Sequence, residues 1–180
     1  MTRDEKIQDV AVAHVRSKAD PNKAKWKFTV VGALHEGLTG RFVAQDGELV
    51  ILSAFYSQSS WYVFTTRRIV SQFGGELKWI DPTAGIIANF PNFKGYAADS
   101  DLLDPDDPKL TPHVVEREIA TIKEAKSDAT LQFEFETWEE ALLAIYAERY
   151  WNGKHRFLDK LMTTVERRNL GKLRATPESA

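Results

Sequence analysis

The sequence contains no cysteine, and this absence excludes several kinds of function. A disulfide scaffold, a thiolate zinc site and a cysteine nucleophile all require that residue. The net charge is also small, at -2 from 24 basic and 26 acidic residues. A chain with such balanced charge has no overall attraction to nucleic acid or to an anionic membrane, so any such binding depends on a local patch. We therefore expect no nucleic-acid partner.

Long apolar runs are missing as well. No stretch approaches the roughly 20 apolar residues that a membrane-spanning helix needs. The opening residues, Met1 to Lys6, are mostly polar and are not followed by the apolar segment of a secretory signal. We therefore expect a cytoplasmic protein. Hydrophobic residues make up 43% of the 180 and charged residues 28%, which is typical of a folded domain with short additions.

Motifs that carry catalysis are also absent. The four histidines occur in neither His-x-His nor His-Glu-x-x-His spacing: His14, His35, His113 and His155. No Gly-x-Ser-x-Gly elbow and no phosphate-binding Gly-x-x-x-x-Gly-Lys loop is present. The acidic run at residues 99–107 lacks the glycine and final glutamate of an EF-hand loop. We expect a protein that is not an enzyme and holds no metal or cofactor; the strongest alternative is a hydrolase that pairs a histidine with a carboxylate of this acidic run.

The clearest pattern in the chain is a series of β-strands. Residues 61–73 are rich in β-branched and aromatic side chains, and they end at Gly74-Gly75. The polar stretch from Thr65 to Arg68 divides them into two strands that meet at a tight turn or a sharp bend. Further strands are predicted at residues 49–56, 76–80 and 85–88. This spacing favours an antiparallel meander that curls into a barrel or a sandwich.

The segment before the last strand is ambiguous. Leu131, Phe133 and Phe135 alternate with polar residues, which predicts a half-buried strand. In the preceding residues 114–126, the spacing of Val115 and Ile119 suits a helix. A strand needs a pairing partner, however, so we favour a strand over residues 118–123. Residues 26–34 are compatible with either a strand or a helix.

Three helices are predicted outside the strands. Thr2 and Glu5 form a capping box at the start of the first, which Asp20-Pro21 ends. Thr137 and Glu140 fit a second capping box, and that helix is predicted to stop at Gly153. A last helix follows and ends at residue 171. Residues 89–110, rich in proline, glycine and aspartate, are predicted to be a long surface loop.

The order of about seven strands followed by an amphipathic helix resembles the pleckstrin-homology (PH) superfold. Residues 62–70 are similar to a hairpin strand of bacterial PH-like and GRAM-type domains, and residues 131–141 resemble their last strand and helix start. The resemblance implies an α+β fold: a bent antiparallel β-barrel capped by a C-terminal helix, with extra N- and C-terminal helices. It divides the chain into an N-terminal helix and lead-in (1–47), the barrel with its capping helix (48–152) and a C-terminal helix and tail (153–180).

Candidate binding residues are basic or aromatic side chains near turns and the long loop: Arg67, Arg68, Lys78, Trp79, Phe90, Phe93, Lys94 and Tyr96. Adjacent arginines bind phosphate or carboxylate well. Neighbours in a strand point to opposite faces, however, so we favour one arginine pairing internally while the other faces solvent. The loop aromatics serve either as buried anchors or as exposed interface residues. Carboxylates of the same loop would form an acidic rim: Asp99, Asp101, Asp104, Asp106 and Asp107.

These features predict a binding module whose partner is another protein. Aromatics beside basic residues are typical of interface centres, and an acidic rim would speed encounter with a basic partner. An adaptor and an inhibitor or immunity-type protein fit equally well, and self-association through the barrel edge is a further version. The alternative is a domain that binds anionic lipid at a membrane surface through Arg67, Arg68, Lys78 and Lys94, as some PH and GRAM domains do.

Overall fold

The computed structural model describes residues 1–17, 26–96 and 115–161, with side chains as far as Asn152 and without that of Ala84. The elements follow in this order: helix α1 Arg3–Arg16, strands β1 Thr29–Val31, β2 Val50–Ser57, β3 Ser60–Thr65, β4 Ile69–Phe73, β5 Glu76–Ile80, β6 Ile86–Asn89, β7 Arg117–Glu124 and β8 Thr130–Glu136, and helix α2 Ala141–Leu161. The predicted acidic rim, His113, Asp20-Pro21 and the end of the predicted last helix lie outside the described residues.

The first sheet contains five antiparallel strands in chain order, β1 to β5. Every residue of β3 is buried, as its β-branched and aromatic composition predicts. Arg67 and Arg68 lie between β3 and β4, so the predicted turn inside residues 61–73 is confirmed. Gly74 and Gly75 make the next turn with φ of +60° and +84°, a backbone shape that glycine adopts without strain. The ambiguous residues 26–34 contain a strand, β1, which pairs with β2.

The second sheet contains β6, β7 and β8, and all three strands are antiparallel to their neighbours. The predicted strand over residues 118–123 is confirmed, because β7 covers these residues and pairs along its length with the last strand, β8. Ala120 and Ile122 are buried whereas Ile119 is exposed, which is the two-residue alternation of a strand. Leu131, Phe133 and Phe135 of β8 are all buried, as predicted.

The core lies between the two sheets. The Phe133 ring of β8 lies 4.5 Å from the Tyr62 ring and 5.9 Å from the Phe64 ring of β3, measured between centroids. Ser71 of β4 also donates a hydrogen bond from Oγ to the carbonyl oxygen of Gln132 in β8 (2.8 Å). Strand pairing among the described residues does not close the two sheets into one barrel. The described residues therefore form an α+β fold, with two packed antiparallel sheets and two α-helices.

Helix α1 begins with the predicted capping box, in which the Thr2 hydroxyl accepts from the Glu5 N–H and the Glu5 carboxylate accepts from the Thr2 N–H. Ile7, Ala11 and Val15 are its buried residues and join the main core. Their spacing of four residues places them on one face of the helix. Because this face packs into the same core as both sheets, the first helix is part of the folded unit.

Helix α2 differs from its predicted bounds at both ends. It begins at Ala141 rather than at Thr137. Trp138 donates its N–H to the carbonyl of Phe93 and takes a φ of +66°, so the chain is not helical there. The predicted stop at Gly153 is wrong, because the helix continues through it to Leu161. A glycine inside a helix costs only about 1 kcal/mol relative to alanine, which flanking helical residues can offset.

Candidate functional site

The two adjacent arginines bind carboxylates of the chain itself. Arg68 donates from Nε and Nη2 to the Glu48 carboxylate (2.9 and 3.0 Å) and from Nη2 to the carbonyl of Val43 (2.9 Å). The Glu48 side chain is completely buried. Burial alone would raise the pKa of Glu48, but hydrogen bonds from Arg68 and Thr65 outweigh it and hold the pKa below its usual value. This pair is a structural element of the β3–β4 turn.

Arg67 connects the same turn to helix α1. Its Nε and Nη2 donate to the two carboxylate oxygens of Asp4 (3.2 and 3.0 Å), and the Thr66 hydroxyl donates to the same carboxylate (2.5 Å). Desolvation opposes ionisation of Asp4, yet these donors hold its pKa below the usual value. Arg68 is thus paired internally and only 17% exposed, whereas Arg67 pairs with Asp4 and remains 42% exposed to solvent. Each guanidinium group already binds a carboxylate of the chain.

The other predicted binding residues lie in different parts of the fold. Lys78 and Trp79 belong to β5, where Lys78 forms an exposed ion pair with Glu76 (2.5 Å). Lys94 lies in the loop after β6, with its Nζ 5.9 Å from the centre of the Tyr96 ring. The structure therefore does not bring the predicted set together as one site.

A groove between β6 and α2 is a candidate site. We call it the β6–α2 groove. One wall comes from β6 and the loop that follows it: Ile86, Ile87, Ala88, Phe90 and Phe93. The helix supplies the other: Leu142, Ile145, Tyr146, Glu148, Arg149 and Asn152. Its volume is about 570 Å³, which is in the range of ligand-binding clefts.

Strand β6 gives this groove an open sheet edge. In the described part of the chain, β6 pairs with β7 on one side and with no strand on the other. Ile87 is 63% exposed at this edge, an unusual position for a large apolar side chain. An unpaired strand edge presents backbone N–H and C=O groups that can bind another extended chain.

Of the three loop aromatics, one is a buried anchor and two are partly exposed. Phe90 is an anchor, because its ring packs 6.0 Å from Phe133 and 5.3 Å from Phe135 between centroids. Phe93 and Tyr96 are each 38% exposed. The Tyr96 ring meets Trp138 edge to face at 6.1 Å, so these aromatics continue the apolar surface beyond the end of the groove.

Gly95 allows this loop to lie close to the end of β8. Its φ is +69°, and a Cβ there would lie 2.6 Å from the Thr137 Oγ1 and 2.8 Å from the carbonyl oxygen of Val115. Any other residue would therefore both strain the backbone and push the loop away. The glycine fixes the position of the exposed aromatics relative to the helix.

Glu148 is the functional candidate that the sequence prediction missed. It lies buried in the helix wall, where its carboxylate accepts a hydrogen bond from the Asn152 side chain. Desolvation raises its pKa to about 7, although Arg149 and Asn152 oppose the shift. A signal was present in the sequence, because Glu148 follows Ala144 by four residues and Ile145 by three and so falls on the apolar stripe.

Replacing Glu148 with glutamine is expected to stabilise the protein at pH 8 by about 1–2 kcal/mol. This is less than the free energy equivalent to the whole pKa shift, because solvent partly screens the carboxylate. The folded-state pKa lies above the usual 4.5, so the folded protein holds this proton more tightly than the unfolded chain does. Wild-type stability therefore falls as pH rises from about 4.5 through 7. Urea unfolding of the wild type and the variant at pH 5 and pH 8 measures the difference in their free energies of unfolding. An equal effect of the substitution at both values would contradict it.

Comparisons with protein-family models, with curated proteins and with solved structures found no match to this chain. Among the side chains described in residues 1–17, 26–96 and 115–152, no three from His, Asp or Glu converge as metal ligands. Within the same residues no helix is long and apolar enough to cross a membrane. The functional interpretation therefore depends on the geometry of the groove and its surroundings.

Proposed function

We propose that the protein is a non-catalytic cytoplasmic binding module that recognises an extended segment of a partner protein along the β6–α2 groove. The observation that carries this proposal is that, among the described strands, β6 has one unpaired edge, which lies beside an apolar wall of α2. A peptide added to such an edge gains main-chain hydrogen bonds from the strand. The adjoining groove then selects among its side chains.

The lining of the groove supports a peptide ligand over a small polar one. Most of its side chains are apolar, including Ile86, Leu142 and Ile145. Its polar groups are confined to the helix wall, where Glu148 and Arg149 offer opposite charges. An extended peptide with apolar side chains on one face and a polar group toward α2 matches this distribution.

We further propose that the fold is PH-like. The strands β2 to β5 form a consecutive meander in one sheet, β6 to β8 form another, and α2 follows directly. This is the strand order on which the sequence resemblance is based. On this interpretation, α1 and β1 are additions to the minimal domain, and α2 is the capping helix.

An anionic lipid is the less favoured ligand. The arginines that would have held a headgroup are paired with Asp4 and Glu48. Lys78 likewise faces Glu76. A headgroup would have to break charge pairs that the fold already satisfies, whereas a peptide at the β6 edge breaks none of them.

The substitution Ile87→Glu tests the groove. Captured partners from the native cell would be identified and their binding segment mapped with synthetic peptides. We expect Ile87→Glu to weaken binding of that peptide about tenfold or more, equivalent to about 1.4 kcal/mol, because a carboxylate would replace an apolar contact at the strand edge. Titration calorimetry measures the affinity, and amide exchange should slow at β6 when the peptide binds.

The matched control is Val43→Glu, which places the same charge at an exposed valine outside the groove. It should leave the affinity unchanged. The proposal would be wrong if both variants bound the peptide as tightly as wild type, or if the slowed amides lay outside β6. Co-sedimentation with acidic vesicles tests the lipid alternative, which requires binding that Arg67→Ala weakens.

A further inference from the structure

Strand β5 is exposed to an unusual extent. It is the last strand of the first sheet, and in the described part of the chain it pairs only with β4. Glu76, Leu77, Lys78 and Trp79 are all exposed, and Leu77 and Trp79 are 59% and 61% exposed. Such an edge, apolar and open, is a site at which another strand can pair.

The apolar side chains of β5 lie on the same face of the sheet as a small second core. Trp79 lies opposite Val70 of β4, and Val70 packs with Leu38 and Phe42 in a small second core on the outer side of the sheet. Leu38 and Phe42 do not extend over β5, so Trp79 and Leu77 remain exposed on the same face. A strand added at this edge would extend the apolar layer.

The geometry of the hairpin determines which backbone N–H and C=O groups of β5 face away from β4. The two-residue turn at Gly74-Gly75 makes Phe73 and Glu76 a hydrogen-bonded pair across the hairpin. Hydrogen-bonded and non-hydrogen-bonded pairs alternate along an antiparallel ladder. Lys78 therefore directs its N–H and C=O to β4, whereas Leu77 and Trp79 direct theirs to the open edge.

We propose that this edge pairs antiparallel with the β5 edge of a second copy of the chain, so that five strands from each copy form one continuous sheet. With Leu77 opposite Leu77 of the second copy, each Glu76 lies opposite a Lys78 across the two-fold axis. These residues then form non-hydrogen-bonded pairs, in which opposing side chains are closest. The next symmetric register would instead set Lys78 against Lys78.

The charge pattern is what identifies the occupant as a second copy. A Glu-x-Lys strand edge is complementary to itself in one antiparallel register, and a two-fold axis forms both ion pairs at once. The Glu76–Lys78 pair within each strand shows that the two side chains lie on the same face and within reach of each other (2.5 Å). The β6–α2 groove belongs to the other sheet, so dimer formation and peptide binding are separate properties.

Charge exchange tests the proposal. Sedimentation equilibrium over a wide concentration range should show the wild type passing from a 20.4 kDa monomer to a species of twice that mass. Glu76→Lys and Lys78→Glu should each weaken dimer formation about tenfold or more, because each sets like charges against each other. An equimolar mixture of the two variants should form dimers again, as should the double variant Glu76→Lys/Lys78→Glu.

Neither single variant carries a Glu76–Lys78 ion pair within its own strand. Dimers formed by the mixture must therefore be held by ion pairs between the two chains. A wild type that stays monomeric at every concentration overturns the proposal. So do single variants that dimerise like the wild type, and so does a mixture that stays monomeric. Circular dichroism of each variant checks its folding, and the double variant provides the test even if a single variant fails to fold.

Discussion

Replacing Phe133 with alanine is expected to lower the free energy of unfolding by about 3–5 kcal/mol. The Phe133 ring is buried and lies between the two sheets, 4.5 Å from Tyr62 and 6.0 Å from Phe90 between centroids. Truncation removes apolar contacts from both sheets at once. It also leaves a cavity that the paired strands cannot close without breaking their register.

Urea denaturation followed by tryptophan fluorescence measures this loss. The matched control is Phe93→Ala, the same substitution at a ring that is about two-fifths exposed, which should cost less than about 1 kcal/mol. A loss at Phe133 no larger than that at Phe93 would show that the two sheets do not depend on this ring. The core between them would then have to be assigned to other residues.

Replacing Arg68 with alanine is expected to cost about 3 kcal/mol, the second largest effect. The Glu48 carboxylate is completely inaccessible to solvent, and Arg68 is only 17% exposed. Removal of the guanidinium leaves a buried carboxylate without its charge partner, although the Thr65 hydroxyl still donates to it (2.6 Å). An uncompensated buried charge is much more costly than a lost surface ion pair.

The neighbouring substitution Arg67→Ala is the control. Arg67 is 42% exposed, and its partner Asp4 remains in contact with water, so its loss should be much smaller. Unfolding experiments on the two variants under the same conditions compare them directly. Equal losses of stability in the two variants would mean that burial of Glu48 is not the reason why Arg68 stabilises the fold.

The cost of Arg68→Ala should also depend on pH. In the wild type the pKa of Glu48 is held below its usual 4.5, so the pair contributes stability above that pH, and the contribution is lost as pH falls through the folded-state pKa. The difference between wild type and variant should therefore be largest near neutral pH and shrink below about pH 4. A difference that stays constant down to pH 3 would contradict this assignment.

The strands could be predicted because their signal is local. Leu131, Phe133 and Phe135 alternate with polar residues, and this alternation alone fixes which face is buried. The same reasoning located the turn before Arg68 and, through the need of β8 for a partner, the strand β7. The first capping box was predicted correctly for the same reason, since Thr2 and Glu5 meet within one helical turn.

The tertiary structure decided everything that joins distant parts of the chain. Arg67 pairs with a residue 63 positions away and Arg68 with one 20 positions away, and no local pattern specifies either partner. The start of α2 was displaced because the N–H of Trp138 binds the carbonyl of Phe93 in the loop after β6. The β6–α2 groove exists only where a sheet edge and a helix meet. The sequence thus determined most of the strands and the start of the first helix, because their signals are local, whereas the bounds of α2 and the candidate sites depend on long-range packing.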